Sequence, residues 1–369
     1  MTKDYIERVI VGEDRGALSW LIRGALWLLS IIYRAGLAVY LWLYSLGIRK
    51  RYALSVPVIS VGNLTFGGTG KTPAVQTICR LLVQSGKKVV ILSRGHGGSA
   101  KGALIVSDGK HVSASASEAG DEPVLLALSL PGVPVVVGKD RRVSGKLAVE
   151  EFSPDVIVLD DGLQYWQLHR DLDIVLVSAA KPFGSGFVMP MGDLRESVNG
   201  LKRAGVVLLN TDGATDIESV EQRIRRIAPG VDIYRCRRTP ESFVRISDGE
   251  QLALDWVKGR RVLAFCGIGK PQSFIDMLES LGAIVVKQLV FSDHHEYSHE
   301  DISLIESERS SSSAEAIVTT QKDLARLGEL VRINNLHILV IRLEVEDNIR
   351  FANRIKSKGT QTSAKEAVD

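Results

Sequence analysis

Three cysteines in 369 residues, Cys79, Cys236 and Cys266, stand far apart in the chain. They offer no material for a disulfide framework and no paired thiols for a metal or redox centre, which suits a reducing cytoplasm. Neither sign of charge is in excess: 46 Lys and Arg against 43 Asp and Glu leave a net charge of +3. So mild a balance gives no general attraction for nucleic acid, and none is expected as a partner; an anionic ligand must be recognised locally. A cleavable leader is not expected either. Acidic residues, Arg15 and Arg23 precede the first apolar run, and no small-residue cleavage pattern follows it. No internal repeat is evident.

The sequence does contain one long apolar run, Gly24 to Gly47, with Arg34 as its only charge, followed by Arg49-Lys50-Arg51-Tyr52. A membrane span needs about 20 apolar residues, and an arginine near mid-membrane adds roughly 2.5 to 3.5 kcal/mol on insertion scales. The aromatic load (Trp27, Tyr33, Tyr40, Trp42, Tyr44) and the flanking cations suit the membrane surface better. A hydrophobic hairpin packed on the protein's own core and a true span are the alternatives. Residues 1–50 are therefore expected to be an apolar, membrane-associating helical arm.

Short apolar runs then alternate with helical patterns. Residues 56–62, 87–95, 133–138, 155–162, 173–178 and 205–210 are rich in Val, Ile and Leu without period-two alternation, as buried parallel strands are. Pro73 to Ser85 places Val75, Ile78, Leu81 and Leu82 on one helical face before Gly86. The pattern restarts at 260–271, 283–291, 314–323 and 336–343, with 235–243 as the expected connection. The fold class is α/β: a parallel core of the phosphate-loop type at 51–238, a smaller α/β lobe at 239–350, and a polar tail at 351–369.

The stretch Gly62-Asn-Leu-Thr-Phe-Gly-Gly-Thr-Gly-Lys-Thr-Pro73 follows a strand pattern and opens a helix. It departs from G-x-x-x-x-G-K-[ST] only in Thr65. Gly67, Gly68, Thr69 and Gly70 let backbone N–H groups converge on an anion, and the helix adds its positive end. Lys71 can reach the β- and γ-phosphates, and the Thr72 hydroxyl can coordinate Mg²⁺. Asp160 and Asp161 end the apolar run 156–159, where an enzyme of this type keeps its metal-organising acid. Asp121 and Glu122, in Ala119–Pro123, precede an apolar helix; they read equally well as a helix cap or as acids orienting a base or metal. Asp293, His294, His295 and His299 read as a zinc site, a surface loop, or the source of a catalytic or substrate-contacting histidine, the last favoured. Arg141, Arg142, Arg170 and Arg195 are candidates for anionic contacts.

These motifs, with 93–98 (SRGHGG), 265–274 (FCGIGKPQSF), 291–298 (FSDHHEYS) and 319–323 (TTQKD), occur in an order that resembles the tetraacyldisaccharide 4'-kinase (lipid A 4'-kinase) family. The resemblance runs from about residue 50 to 345 and includes the missing first glycine. It implies transfer of the ATP γ-phosphate, with Mg²⁺, to the 4'-hydroxyl of an acylated disaccharide 1-phosphate lipid. It also implies a monomer on the cytoplasmic leaflet of the bacterial inner membrane. By the same resemblance Lys71 and Thr72 handle phosphate and Mg²⁺, with Asp160 and Asp161 beside them. Asp121 and His294, chosen over His295, form the catalytic pair, and Asn63, Glu122, Arg170, Arg195 and His295 contact the substrate. His96, Tyr165 and Ser178 depart from the residues usual in the family, which are tyrosine, histidine and aspartate. A membrane-tethered nucleotide switch of the ParA/MinD kind is the alternative, weakened because Phe66 stands where such proteins carry lysine. A nucleotide-dependent metal-insertion chaperone lacks a thiolate site.

Overall fold

The computed structural model describes Val9, residues 16–331 and residues 333–359. Two compact units share the chain: Met1–Lys71 with Asp161–Arg237 and Val345–Asp369, and Thr72–Asp160 with Arg238–Glu344.

In the first unit, β1 (Val58–Asn63), β6 (Leu172–Ser178), β7 (Val206–Asn210) and β8 (Asp232–Arg245) pair in that order, all parallel. Every residue of β1 and β7 is buried, as their unbroken apolar text requires of strands covered on both faces. Leu64, Leu163, Val175, Val207, Leu209 and Ile224 form its core. Val220 and Ile224, four apart on α6 (Ile217–Ile227), close one side, and Asp216 caps that helix by accepting the Ser219 N–H at 3.1 Å. Residues 351–358, read from the sequence as the start of a polar tail, belong to α10 (Asn348–Lys358). This helix buries Phe351 and Ile355, with Phe351 edge-on to Tyr234 at 5.2 Å. Likewise 235–243, read as a connection, lies inside the 14-residue β8. Its alternation of charged and apolar residues fits a half-buried strand.

The apolar arm is one uninterrupted helix, α1 (Ala17–Ser45), not a hairpin. At 1.5 Å per residue it is about 43 Å long. Polar contacts tie it to its own unit. The Ser30 hydroxyl donates to the Val188 carbonyl (2.6 Å) and accepts from the Met191 N–H (3.1 Å), and the Tyr33 hydroxyl donates to the Arg195 carbonyl (3.1 Å). Trp20, Leu21, Ile32 and Trp42 are 58–73% exposed. The helix is long and apolar enough to cross a membrane by length and composition.

In the second unit β5 (Val156–Asp160), β2 (Val89–Ser93) and β4 (Val135–Val137) are parallel, and β3 (Leu104–Ser107) adds an antiparallel edge strand that the sequence reading did not anticipate. A second parallel set runs β11 (Ile284–Val290), β10 (Arg261–Cys266), β12 (Ala316–Thr320), β13 (Leu336–Val345). α7 (Pro271–Ser280) buries Phe274, Ile275 and Leu278 in a core shared with Val262, Ala264 and Val318 of that set. The run 314–323 divides at Thr320, whose hydroxyl caps α9 (Gln321–Leu327) by accepting the Asp323 N–H. α9 packs against α4 (Asp121–Ser129), which the single turn α3 (Ala116–Ala119) precedes.

One glycine fixes how β1 meets the turn after β5. A Cβ on Gly62 would lie 2.6 Å from the Leu163 Cβ, while the Gly162 N–H donates to the Val61 carbonyl at 3.1 Å. Gly62→Ala is therefore expected to cost about 1–3 kcal/mol in urea unfolding, as overpacking does; an unchanged midpoint would show that the turn yields freely.

Candidate active site

β1 ends on Asn63, and the glycine loop runs from it into α2 (Lys71–Gln84). Gly67 (φ +106°) and Gly70 (φ +98°) occupy backbone conformations that side chains rarely adopt. Thr65 does not need that freedom. It forms an extended bridge with Leu194, flanked by Phe66 N–H to Asp193 carbonyl and Arg195 N–H to Leu64 carbonyl bonds, both 2.7 Å. A β-branched residue suits such a position. The buried Asn63 places its amide between loop and lysine: Nδ2 donates to the Thr65 carbonyl (2.6 Å) and Oδ1 accepts from Lys71 Nζ (3.1 Å). Gly68 is exposed, and the buried Thr69 hydroxyl finds no partner among the described residues. A buried polar atom left so is costly unless a ligand meets it.

Asp160, 2% exposed at the end of β5, accepts a 2.9 Å hydrogen bond from the Ser93 hydroxyl. Asp161 follows in a left-handed conformation (φ +51°). Arg195 Nη1 donates to both its oxygens (2.8 and 2.7 Å), and Lys71 Nζ lies 3.7 Å away. Arg195 also lies 4.9 Å above the Phe66 ring, so this expected substrate contact is anchored against the loop. Glu196, which the sequence reading passed over, holds Arg203 with two bonds (2.9 and 2.8 Å) and accepts from Gln164 Nε2 (3.0 Å). Gln164 Nε2 in turn donates to the Asn63 carbonyl (3.1 Å). Arg170 is turned inward instead. Only 4% exposed, it donates to Asp173 at 2.7 and 3.1 Å and to the Tyr165 carbonyl. Arg142 pairs with Asp140, and Arg141 is buried at the start of α5 (Arg141–Phe152). Thr72 and Asp160 offer only oxygen atoms, the donor chemistry a hard cation such as Mg²⁺ selects.

Asp121 opens α4, where the helix dipole favours an anion. Its position is set by glycines. Gly120 has φ +90°, and a Cβ there would lie 2.4 Å from the His96 carbonyl oxygen; one on Gly98 would lie 2.4 Å from that of Glu118. The SRGHGG segment is thus laid directly on the turn that presents Asp121 and the half-buried Glu122. A cap alone does not account for Asp121. Its Oδ1 accepts only the Glu122 N–H (3.2 Å) among the described contacts, whereas Oδ2 lies 3.0 Å from His294 Nδ1 and 2.9 Å from both Nε and Nη2 of Arg326. Burial pushes the Asp121 carboxyl up, but the hydrogen bond and charge of Arg326, then those of His294, outweigh it and hold the group below its ordinary value.

His294 stands in a left-handed conformation (φ +60°), which for a side chain costs about 1 kcal/mol or more and gathers at functional sites. His294 Nδ1 stands between Asp121 Oδ2, which only accepts, and Arg326 Nη2 at 3.2 Å, which only donates, so the three groups form one polar cluster. The adjacent His295 turns elsewhere: its Nε2 lies 3.0 Å from Asp301 Oδ2, and its ring stacks on Phe291 at 4.7 Å. Asp301 belongs to the capping box of α8 (His299–Ser311), so His295 braces the loop. Among the described residues no three His, Cys, Asp or Glu side chains assemble as a metal site, and the zinc arrangement of this segment is not formed.

Arg326 was not foreseen. Reading TTQKD as a helix start, rather than as a motif only, would have placed Asp323 and Arg326 on one face, three residues apart; their charged groups are 3.6 Å apart. A lowered Asp121 value has a thermodynamic consequence. The stabilisation is present above the unfolded carboxylate value of 3.8 and is lost as pH falls through the lower folded value. Asp121→Asn should therefore unfold at lower urea than the native chain at pH 7, and the gap should close toward pH 3; a gap independent of pH would contradict the ion pairing.

The family model described as Tetraacyldisaccharide-1-P 4'-kinase matches residues 22–359. The tetraacyldisaccharide 4'-kinase of Syntrophus aciditrophicus is 38% identical over 331 residues, 87% of each chain. That of Geobacter metallireducens is 39% identical, over 89% of this chain and 96% of its own. The crystal structure of LpxK from Aquifex aeolicus in complex with ATP is 35% identical, superposes with a TM-score of 0.76, and covers 91% of this chain and 99% of its own. With nearly the whole sequence matched, and with the phosphate loop, the paired acids and the Asp121–His294 contact in place, this chain belongs to the tetraacyldisaccharide-1-P 4'-kinase family.

Proposed function

We propose that this protein transfers the γ-phosphate of ATP to the 4'-hydroxyl of a tetraacylated disaccharide 1-phosphate, a step of lipid A biosynthesis. The observation that carries the mechanism is the 3.0 Å contact between Asp121 and His294, residues 173 apart in sequence. Phosphoryl transfer asks a protein mainly for positioning and charge stabilisation, with one acid to receive the acceptor proton. Backbone N–H groups of Gly67 to Gly70, the start of α2 and Lys71 hold the phosphates. Thr72 and Asp160, with Asp161, would hold Mg²⁺, which would supply charge neutralisation at the phosphates. Asp121 takes the acceptor proton at Oδ1, the oxygen that carries a single backbone donor, while His294 and Arg326 secure Oδ2. Glu122, next to the base, and Arg195, beside the acid pair, are the acceptor contacts. Asn63 serves through Lys71, and Arg170 and His295 serve through the walls they brace.

The exposed face of α1 supports a peripheral or monotopic attachment to the membrane, and the reading places the protein, as a monomer, on the cytoplasmic leaflet of the inner membrane.

In mixed micelles, label from γ-labelled ATP is expected on tetraacyldisaccharide 1-phosphate with the native chain and not with Lys71→Ala. Hydrolysis without labelled lipid would instead indicate a nucleotide switch. Asp121→Ala is expected to lower transfer about 10²- to 10⁴-fold with ATP affinity nearly unchanged; loss of ATP·Mg²⁺ binding would make Asp121 a metal ligand. Deleting residues 1–48 should release the protein from vesicles, and continued sedimentation with them would assign anchoring to another surface.

A further inference from the structure

We infer that Arg326 is a positioning residue for Asp121, fixing which carboxylate oxygen meets the acceptor hydroxyl; the inference rests on the kinase reading of Asp121. Arg326 is only 4% exposed, and its fork meets Gly267, Asp121, Asp323 and, through Nη2 at 3.2 Å, His294 Nδ1. Nη1 donates to the Gly267 carbonyl at 2.5 Å, and Nε and Nη2 both reach Asp121 Oδ2 at 2.9 Å. The loosest is the 3.6 Å approach of Nη1 to Asp323.

Asp323 does not need Arg326 for its hydrogen bonds. It is 0% exposed and already accepts from the Gly267 N–H (2.9 Å), the Tyr297 hydroxyl (3.0 Å) and the Thr320 hydroxyl (2.6 Å). Those bonds make the mount on which the guanidinium is held, and its best-formed charged contact points outward from that mount to Asp121. Because α9 packs on α4, the helix that carries the cation also lies against the helix that carries the acid.

The two oxygens of Asp121 are consequently unequal. Oδ2 accepts from Arg326 Nε and lies 2.9 Å from Nη2 and 3.0 Å from His294 Nδ1, so the cation and the imidazole both crowd that one oxygen. Oδ1 retains a lone pair beyond its bond to the Glu122 N–H. A planar, permanently charged fork suits this role better than an ammonium, because its fixed geometry reaches the Gly267 carbonyl, Asp121 Oδ2 and His294 at once. His294 alone would leave the carboxylate free to rotate about one hydrogen bond. The arrangement gives up some basicity for a fixed, ionised acceptor, a favourable exchange where positioning governs the rate.

The test uses Arg326→Gln and Arg326→Lys in the full chain, with transfer kinetics, the pH profile of kcat, and the Asp121 carboxyl titration followed by ¹³C NMR and assigned with Asp121→Asn. Arg326→Gln is expected to lower kcat about 10- to 100-fold with KM for ATP unchanged. Its acid limb and the Asp121 titration should both move to higher pH. Arg326→Lys should restore the acid limb but not the full rate. In an Asp121→Asn background Arg326→Gln should add no further loss of rate.

A native acid limb and titration in Arg326→Gln would overturn the inference, as would a full additional loss in the double variant. If Arg326→Gln does not fold, Arg326→Lys decides alone: native kcat overturns the inference, and a lowered kcat with a near-native acid limb upholds it. If the native chain transfers no phosphate, the kinase reading fails by itself. The Asp121 titration still reports whether Arg326 governs the carboxylate, and an unshifted titration overturns that link.

Discussion

A carboxylate taken out of water must be met by a cation or by convergent donors, and the chemistry of each unit is arranged around that demand. In the first unit Asp161 is met by Arg195 and Lys71, Glu196 by Arg203 and Asp173 by Arg170. In the second, Asp121 is met by Arg326 and His294, and Asp323 by the hydroxyls of Tyr297 and Thr320. These pairs fix geometry more than they add stability, since the desolvation of both partners offsets much of their attraction. Their value lies in direction. Asp161, Glu196, Asp173 and Asp323 are held through both oxygens, whereas Asp121 is held by its cation through Oδ2 and turns Oδ1 to its surroundings.

The division between structural and reactive polar residues follows from that. Arg170 and His295 have the chemistry of ligand contacts, yet their nearest partners, Asp173 and Asp301, are local, and those contacts tie chain segments together. Arg195 stands between the two cases: it ion-pairs Asp161 and covers Phe66, so it stiffens the loop it adjoins. His294 differs from its neighbour by one residue and a left-handed backbone, and that difference in φ is what aims one imidazole at Asp121 while the other stacks on Phe291.

Much of this was legible in the sequence, for identifiable reasons. The glycine loop announces itself because positive φ demands glycine locally, and the buried strands because parallel pairing demands unbroken apolar runs. The acids at 160 and 161 follow from the end of such a run. The Asp121–His294 contact came from the family resemblance rather than from any local pattern, because it spans 173 residues. Arg326 lies 205 residues from its acid, and a lone arginine in an amphipathic helix carries no mark of its partner. The edge strand β3 and the long β8 were missed for the opposite reason: half-buried strands mix polar and apolar residues and resemble connections.

The arm shows how few contacts can hold an apolar element. α1 is moored through Ser30, Tyr33 and the buried Tyr44, which packs on Trp166, while Trp20, Leu21, Trp27, Leu28 and Trp42 look outward. In water a surface of that kind is an amphiphile's surface, well beyond the patch an ordinary monomer shows. Without detergent it will cover itself with a second copy or the wall of the vessel. Particle size and yield in plain buffer would then report on this helix and not on the catalytic residues.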